Sequence, residues 1–348
     1  MTIDYLIIGQ GLAGSLLAWE LMQRGNSVVI VDNGRESASQ VAAGLVNPVT
    51  GMRLVKSADV DRLLPAAKQC YAQLTEVFQQ AFYIEKPMLR LLRSEQELTH
   101  ALKRLADPDY QDYLDAITPP ESSASLYGFL QQKQTGYLLT RPLLSCLQAF
   151  FTAKGCYRRA AVAYQDIQLQ PALGWQDISP KQIIFCEGHQ ATQNPWFSWL
   201  PFQAVKGEIL TLQHQSLLPD TILNFGDWLI PLDSRHIRVG ATFDRDKLDT
   251  EPTERGKNAL LNALKILPFD LAQATLIDHQ AHIRPCTLDK QPFIGRHPQH
   301  PQLAIFNGFG AKGSLQIPGF CRQFADALLN HTPLPSTIER HYATYFPG

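Results

Sequence analysis

The chain has 348 residues, 45% hydrophobic and 18% charged, which is the composition of an ordinary globular protein. Its net charge of -1 excludes a strong overall field that would attract nucleic acid or an anionic membrane. No apolar run approaches the roughly 18 residues of a membrane span. The six scattered cysteines lack Cys-x-x-Cys or metal-ligand spacing, so we expect reduced thiols and no metal site. Without a secretory signal pattern, we expect a cytoplasmic protein with neither membrane nor nucleic-acid partner, and its oligomeric state stays open.

The N-terminal residues alternate between strand and helix patterns. Residues 5–8 are a short apolar run typical of a strand that is buried on both faces. Residues 15–24 are good helix formers, and Gly25 is suited to end that helix. Residues 27–32 predict a second buried strand. This order within about thirty residues predicts a right-handed βαβ unit.

The turn between the first strand and the helix reads Gly9-Gln10-Gly11-Leu12-Ala13-Gly14. Gly9 permits the sharp turn, Gly11 lets a pyrophosphate approach the backbone, and Gly14 lets helix and strand pack closely. Unpaired amides and the helix dipole would face the phosphates. Asp32 is placed to accept hydrogen bonds from ribose hydroxyls and disfavours a 2′-phosphate. The predicted contacts of this dinucleotide site also include Leu12, Ala13 and Asn33. The turn alone fits both FAD and NAD. The structural alternative is a glycine turn that binds no ligand.

The remaining elements predict a discontinuous domain. A helical pattern covers residues 60–82, and a second helix begins with Thr140 as its cap and Pro142 in its first turn. Residues 183–186 predict a strand, 205–243 an antiparallel sheet, and 303–306 a strand followed by glycines and a helix to Leu329. Nucleotide-type elements thus stand at the start, middle and end of the chain. We predict a cofactor domain of residues 1–85, 140–204 and 276–348, and a substrate domain of residues 86–139 and 205–275.

Several landmarks in order resemble the D-amino-acid oxidase superfamily of flavoproteins, especially its glycine oxidase-like and sarcosine oxidase-like members. These landmarks are the turn at 9–14 with Asp32, residues 39–48, Ala161-Val162, Cys186-Glu187-Gly188, and residues 205–208, 283–295 and 308–318. The resemblance covers nearly the whole chain. It implies an α/β fold with a Rossmann-like FAD-binding domain of the glutathione-reductase type, in which helices flank a parallel sheet. It also implies an inserted α+β substrate domain on a mostly antiparallel sheet.

The resemblance implies FAD as the cofactor. The family's small-residue loop over the pyrophosphate and flavin corresponds to Ala42, Ala43, Gly44 and Leu45. The adenosine side corresponds to Val162, Cys186 and Gly188. The C-terminal flavin loop corresponds to Gly308, Gly310, Ala311, Lys312, Gly313, Ser314 and Leu315. Amides at that helix start would stabilise charge on reduced flavin, with Lys312 either adding to it or lying solvated in the loop. We expect noncovalent FAD, because the cysteine that attaches flavin in some relatives aligns with Arg284 and not with Cys286.

Arg284 corresponds to the arginine that pairs with the substrate carboxylate in glycine oxidase-like members. A guanidinium fits a carboxylate in two parallel hydrogen bonds, whereas the structural alternative is a salt bridge. His279 and His282 are nearby, but a lone strand histidine is more often structural. The family's substrate-binding tyrosine has no counterpart in residues 205–243, which contain no tyrosine. Trp228 and Arg238 are candidate replacements.

These features favour an FAD-dependent enzyme that oxidises the C–N bond of a small amine or amino acid, with hydride transfer to flavin N5. Oxygen or another acceptor would reoxidise the flavin. One alternative is a flavoenzyme that modifies the wobble uridine of tRNA, for which a basic stripe is expected. A noncatalytic flavin-binding protein is a further alternative. The C-terminal glycine loop disfavours an NAD-linked dehydrogenase.

Overall fold

The computed structural model describes residues 1–119, 127–216 and 218–346, without the side chains of residues 340 and 341. Its helices are α1 (Leu12–Gln23), α2 (Ala38–Val41), α3 (Val60–Phe78), α4 (Glu95–Leu105), α5 (Thr140–Ala153), α6 (Glu254–Ala263), α7 (Gly313–Leu329) and α8 (Ser336–Thr344). Short 3-10 helices cover Pro108–Tyr110, Tyr164–Asp166, Gly188–Gln193 and Leu264–Ile266. None of the helices in the described ranges is long and apolar enough to cross a membrane. Within the same ranges, no cluster of three or more His, Cys, Asp or Glu side chains is arranged to hold a metal ion.

A six-stranded sheet forms the centre of the first layer. Its strand order is β11 (Tyr157–Arg159), β2 (Val28–Asp32), β1 (Thr2–Ile8), β14 (Ser179–Phe185), β21 (Leu303–Asn307) and β20 (Phe293–Arg296). Only β20 runs antiparallel to its neighbour. Ile7 and Ile30 face a helical layer from α1, α3, α5 and α7, whereas Leu6 and Val29 face an aromatic layer that contains Trp175 and Phe197. The continuous apolar sequences of these strands therefore reflect burial on both faces.

An eight-stranded sheet forms the second large layer. Its order is β19 (Thr275–Arg284), β15 (Val205–Gln213), β18 (His236–Gly240), β17 (Trp228–Pro231), β16 (Ile222–Asn224), β7 (Met88–Leu92), β9 (Gly128–Gln132) and β8 (Leu114–Thr118). Every pair is antiparallel except β16 with β7. One face packs against Leu260 of α6 and against Leu264 of the 3-10 helix that follows it.

Three small sheets accompany the two large ones in the described part of the chain. Strands β3 (Leu45–Val46), β10 (Gly136–Leu138) and β6 (Tyr83–Glu85) form a three-stranded antiparallel sheet. Strands β4 (Val49–Thr50) and β5 (Val55–Lys56) form a hairpin. Strands β12 (Ile167–Gln168) and β13 (Gly174–Trp175) form another antiparallel pair. Val46 of β3 and Val49 of β4 share a buried cluster with Leu130 of β9 and Leu315 of α7.

The architecture confirms the predicted α/β fold, in which a parallel sheet with flanking helices is joined to a mostly antiparallel sheet. The division into domains remains a prediction. We propose it with one adjustment, because β19 pairs with β15 along its whole length. Residues 276–284 are therefore better grouped with the eight-stranded sheet than with the cofactor domain.

Two local predictions are wrong. The helix predicted over residues 60–82 ends at Phe78, because Gln79 adopts a left-handed conformation with φ of 51°. Thr140 is not a helix cap, since it is the first residue of α5 and Leu139 precedes it as the N-cap. The Thr140 hydroxyl donates instead to the carbonyl of Ala42 at 3.3 Å. The cap prediction failed because α5 begins at Thr140 itself, whose hydroxyl is engaged by a carbonyl from a distant segment.

Candidate functional site

A cavity of about 1000 Å³ opens where the two large sheets meet. Ile8, Val31 and Asn307 line it at the carboxyl ends of β1, β2 and β21, while Ile209 and Trp228 line it from the eight-stranded sheet. The carboxyl edge of an open parallel sheet is where α/β proteins bind ligands. The volume is at the upper end of the usual range for small-molecule sites, about 300–1,000 Å³.

Most of the residues predicted from sequence converge on this cavity. Its lining includes Gly9, Gly11, Leu12, Ala13, Asp32, Asn33, Ala42, Ala43, Gly44, Leu45, Val162, Cys186, Gly188, Arg284, Gly310, Ala311, Lys312, Gly313, Ser314 and Leu315. Gly14 and Gly308 are not part of the lining. Gly14 packs instead against the backbone of Gly9, as its predicted packing role requires. The tertiary structure thus assembles segments that lie far apart in sequence, although the cofactor contacts themselves stay predictions.

The start of α1 is suited to bind an anion. The amide of Leu12 donates to the hydroxyl of Ser39 at 3.0 Å. In the described part of the chain, the amides of Gly11 and Ala13 have no hydrogen-bond acceptor. Free amides at a helix N-terminus bind phosphate groups through direct hydrogen bonds and the helix dipole. This end of the cavity therefore fits a pyrophosphate.

Asp32 lies beside that turn at the end of β2. Its carboxylate accepts from the amide of Gln10 at 2.8 Å and from the amide of Gly34 at 2.7 Å. A carboxylate has about four lone-pair sites, so further acceptor capacity remains for ribose hydroxyls. The carboxylate thus also ties the end of β2 to the glycine turn, a role that the spacing alone did not reveal.

The C-terminal loop forms a second helix start at the cavity. Within the described residues, the amides of Ala311, Gly313 and Ser314 have no hydrogen-bond acceptor, whereas the Gly310 amide donates to the carbonyl of Pro285 at 3.3 Å. The ammonium of Lys312 donates to the hydroxyl of Ser57 at 3.0 Å. Lys312 is therefore partly buried in the cavity wall, which excludes the solvated-loop alternative. Burial lowers its pKa.

Arg284 extends from the end of β19 into the cavity. Its Nη2 donates to the Thr242 carbonyl at 2.9 Å, and burial lowers the pKa of the guanidinium. No carboxylate among the described residues forms an ion pair with it, so the salt-bridge alternative has no support. Gly207 on the neighbouring β15 provides the space, since a Cβ there would lie 1.8 Å from Nη2. Four of the five N–H donors of the guanidinium thus remain available for an anionic ligand.

The two candidate replacements for the missing tyrosine, Trp228 and Arg238, lie in different places. Trp228 lines the cavity. Arg238 does not, because its guanidinium donates to the carbonyl of Val41 at 2.8 Å and to that of Ala42 at 3.3 Å. Arg238 therefore does not reach this cavity, which leaves Trp228 as the candidate for the place of the tyrosine. Arg238 holds the loop before Ala43 in place.

The neighbouring histidines also differ. His282 lines the cavity, and its Nε2 lies 2.9 Å from the carbonyl of Glu36. His279 forms an ion pair with the buried carboxylate of Glu208 at 2.8 Å when it is protonated. Both contacts are structural, as expected for strand histidines.

Sequence reasoning missed the role of Glu187 in the cavity wall. The hydroxyl of Tyr164 donates to Oε1 at 3.0 Å, and the amide of Asn194 donates to Oε2 at 2.9 Å. Burial raises the pKa of Glu187 to about 7, and these two hydrogen bonds only partly oppose the effect. The residue stands between Cys186 and Gly188, which the predicted turn did contain. No sequence signal distinguishes its buried carboxyl from an exposed one.

We expect Glu187 to make the folded protein less stable as the pH rises. The folded state holds a proton that the unfolded chain releases between its usual pKa of 4.5 and about 7. The free energy of unfolding therefore falls through this window, by at most about 1.4 kcal/mol per pH unit. Glu187→Gln, which carries no charge at any pH, should match the wild type near pH 5 and exceed it near pH 8 by about 2–3 kcal/mol.

Thermal unfolding of both proteins with saturating cofactor measures this difference. Glu76→Gln, an exposed change on α3, is the matched control and should show no pH-dependent gain. An equal difference between Glu187→Gln and the wild type at pH 5 and pH 8 would contradict the expectation.

The sequence profile of the DAO family, described as FAD dependent oxidoreductase, matches residues 4–327. Glycine oxidase from Pseudomonas aeruginosa is 30% identical, over 96% of this chain and 97% of its own length.

A second kind of relative is longer than this chain. The tRNA 5-methylaminomethyl-2-thiouridine biosynthesis bifunctional protein MnmC from Idiomarina loihiensis is 25% identical over 99% of this chain. The match covers only 59% of that protein, so the chain spans little more than half of its length. Among solved structures, glycine oxidase from Geobacillus kaustophilus superposes with a TM-score of 0.83 at 21% identity, covering 96% of this chain and 97% of that chain. This likeness shows the shared fold.

Proposed function

Because this chain belongs to the DAO family of FAD-dependent oxidoreductases, we propose that it oxidises the C–N bond of a small amine or amino acid whose carboxylate binds Arg284. FAD is the cofactor, and the free helix-start amides near Gly11 and Gly313 fit its charged and polar groups. The predicted noncovalent attachment agrees with the position of Cys286 outside the cavity lining.

One observation supports the proposal more than any other. Arg284 is partly buried in the cavity wall, and within the described structure its side chain donates to a neutral carbonyl, that of Thr242. A buried cation without a counterion is costly unless an anionic ligand pairs with it. A substrate carboxylate supplies that counterion and gains the planar two-bond geometry that a guanidinium offers.

The residues of the cavity orient the substrate. When bound, FAD supplies the acceptor for the hydride and its two electrons. Arg284 binds the carboxylate and so restricts the orientation of the adjacent C–H bond. Trp228 and Ile209 line the cavity from the eight-stranded sheet and reduce the access of water. An acid–base triad is not required, since hydride transfer from a neutral amine depends mainly on position.

Anaerobic reduction of the bound flavin tests this proposal. The purified yellow protein is mixed without oxygen with glycine, sarcosine, proline or D-amino acids, and the flavin absorbance is followed. We expect at least one of these carboxylate-bearing amines to bleach the flavin. A flavin that bleaches with dithionite but with no member of the panel would contradict an amino-acid oxidase.

The similarity to the tRNA-biosynthesis protein of Idiomarina loihiensis over 99% of this chain favours a second candidate, oxidation of a side chain on tRNA. Binding the phosphate backbone requires a local basic surface and produces a strong dependence on salt. The overall charge of -1 does not favour such a surface. A gel shift with tRNA at increasing salt separates the candidates, because a small-molecule oxidase should show no shift.

A further inference from the structure

A second cavity, of about 500 Å³, adjoins the large cavity. Its volume is within the usual range for small-molecule sites, about 300–1,000 Å³. Glu36, Ala43 and Thr140 line both cavities, so the chain around these residues separates the two spaces. Most of the remaining lining of the second cavity comes from residues 137–142 and from the eight-stranded sheet. The proposed reaction makes no use of this cavity.

Strand register brings two opposite charges to the second cavity. Asp278 of β19 and Arg238 of β18 both pair with Thr211, which lies between them on β15. Ile230 of β17 continues this row as the partner of Arg238. Neighbouring strands lie about 4.8 Å apart, so the backbones at Asp278 and Arg238 are about 10 Å apart. All four residues of the row line the second cavity.

The row lies on the sheet face that also carries Arg284, but far along the strand from it. Alternate residues of a strand point to the same face, so Asp278, Gln280, His282 and Arg284 share one face of β19. His282 and Arg284 line the large cavity, whereas Asp278 and Gln280 line the second one. The steps from Asp278 to Arg284, at about 3.3 Å per residue, span about 20 Å. The second cavity is therefore separate from the carboxylate site at Arg284.

Asp278 and Arg238 face the second cavity without forming an ion pair with each other in the described structure. Burial lowers the pKa of Arg238, and the charge of Asp278 acts in the opposite direction. Arg238 donates two of its five N–H groups to the carbonyls of Val41 and Ala42, so three remain. Within the described ranges, the Asp278 carboxylate accepts no hydrogen bond. The space between the two groups thus fits a ligand that has a carboxylate near an ammonium.

The other residues of the second cavity favour the same kind of ligand. Glu36 and Arg141 also line it, and they form an ion pair. The lining therefore has two cations and two carboxylates, which favours a zwitterion over an ion of one sign. Apolar side chains line much of the rest and fit an apolar side chain on the ligand, namely Ala43, Tyr137, Leu138, Leu139, Pro142, Ile230 and Leu232.

We propose that the second cavity binds the zwitterion of an amino acid with an apolar side chain, its ammonium at Asp278 and its carboxylate at Arg238. This site is separate from the substrate site and does not rest on the proposed function. Because Arg238 also holds the carbonyls of Val41 and Ala42, the ligand lies next to the loop that lines the large cavity at Ala43.

The test uses α-methylleucine, an amino acid with an apolar side chain and no hydrogen on Cα that could leave as hydride. It is titrated calorimetrically into FAD-loaded Arg284→Ala, in which the proposed carboxylate site of the large cavity is removed. We expect one molecule to bind per chain. Adding Asp278→Asn should weaken binding about tenfold, the effect of one charge-assisted hydrogen bond. Adding Asp115→Asn instead, which changes an exposed aspartate on β8 of the same sheet, is the matched control and should leave the affinity unchanged.

A second ligand tests the role of the ammonium. Isocaproate keeps the carboxylate and the apolar chain but lacks the amino group, so it should bind Arg284→Ala about tenfold more weakly than α-methylleucine. Titration of the wild type with and without Asp278→Asn repeats the comparison with Arg284 in place.

Three results would overturn the inference. The first is binding of α-methylleucine to the wild type but not to Arg284→Ala, which would place the ligand in the large cavity, or binding to neither protein. The second is an equal affinity with and without Asp278→Asn. The third is an equal affinity for isocaproate and α-methylleucine, which would mean that the site does not bind the ammonium. The proposed function fails separately, through the flavin-reduction panel, which involves no change in the second cavity.

Discussion

Arg284→Ala is expected to lower kcat/KM for the amine substrate by about 100- to 1,000-fold while FAD stays bound. Truncating one partner of a buried charge pair costs about 3–4 kcal/mol, and 1.4 kcal/mol corresponds to a factor of ten. FAD should remain because the other predicted cofactor segments do not depend on this side chain. Steady-state kinetics and the flavin absorbance of the purified protein measure the two effects.

Two further variants isolate the role of the guanidinium. Gly207→Ala leaves Arg284 in the chain but would place a Cβ 1.8 Å from its Nη2, so the guanidinium must move. We expect kcat/KM to fall in Gly207→Ala as well, mainly because KM rises. Arg284→Lys keeps the charge and loses the planar fork, so it should recover only part of the activity.

Arg235→Ala removes an exposed arginine outside the cavity lining and should behave as the wild type. Loss of FAD in Arg284→Ala would instead show that the residue is structural. Unchanged kinetics in this variant would remove the main support for a carboxylate site.

Gly14→Ala is expected to reduce FAD affinity by at least about 100-fold, because α1 must move away from the turn that binds the pyrophosphate. A Cβ at Gly14 would lie 1.9 Å from the carbonyl oxygen of Gly9 and 3.2 Å from Cβ of Cys186. The first contact is with backbone, so no side-chain rotation relieves it. Alanine in a helix ordinarily stabilises by about 1 kcal/mol relative to glycine, and the clash must outweigh that gain. Titration of apoprotein with FAD measures the affinity.

Gly25→Ala is the matched control at the other end of the same helix. Gly25 has no neighbouring atom within 4 Å of an added Cβ, but its φ of 79° is unfavourable for alanine. This variant should lose about 1–2 kcal/mol of stability and retain normal FAD affinity. Normal FAD affinity in Gly14→Ala would refute the close-packing role of that glycine.

The local parts of the fold were predictable from sequence. The βαβ unit is confirmed as β1, α1 and β2, since adjacent elements with strong apolar patterns need few long-range contacts to specify them. The antiparallel sheet over residues 205–243 is confirmed as well, apart from the parallel pairing of β16 with β7. The failed predictions at Gln79 and Thr140 concern helix ends, where one left-handed residue or one tertiary acceptor decides the boundary.

The site was only partly predictable. Residues such as Gly310 and Val162 were predicted from family landmarks, and the fold brings both to the cavity. Arg238 shows the limit of such reasoning, because its position in the sheet suggested a substrate contact. Its guanidinium instead donates to the carbonyls of Val41 and Ala42, which lie far away in sequence.

By itself, the sequence determined the dinucleotide turn, because Gly9, Gly11, Gly14 and Asp32 act within one βαβ unit. Together with the landmark order, it also identified FAD and singled out Arg284. The tertiary structure alone decided which charges are paired. Glu208 meets His279, whereas Arg284 and Lys312 meet only neutral acceptors in the described structure. Ion pairing and desolvation depend on which distant segments the fold brings within a few ångströms, and residue type or spacing does not encode that.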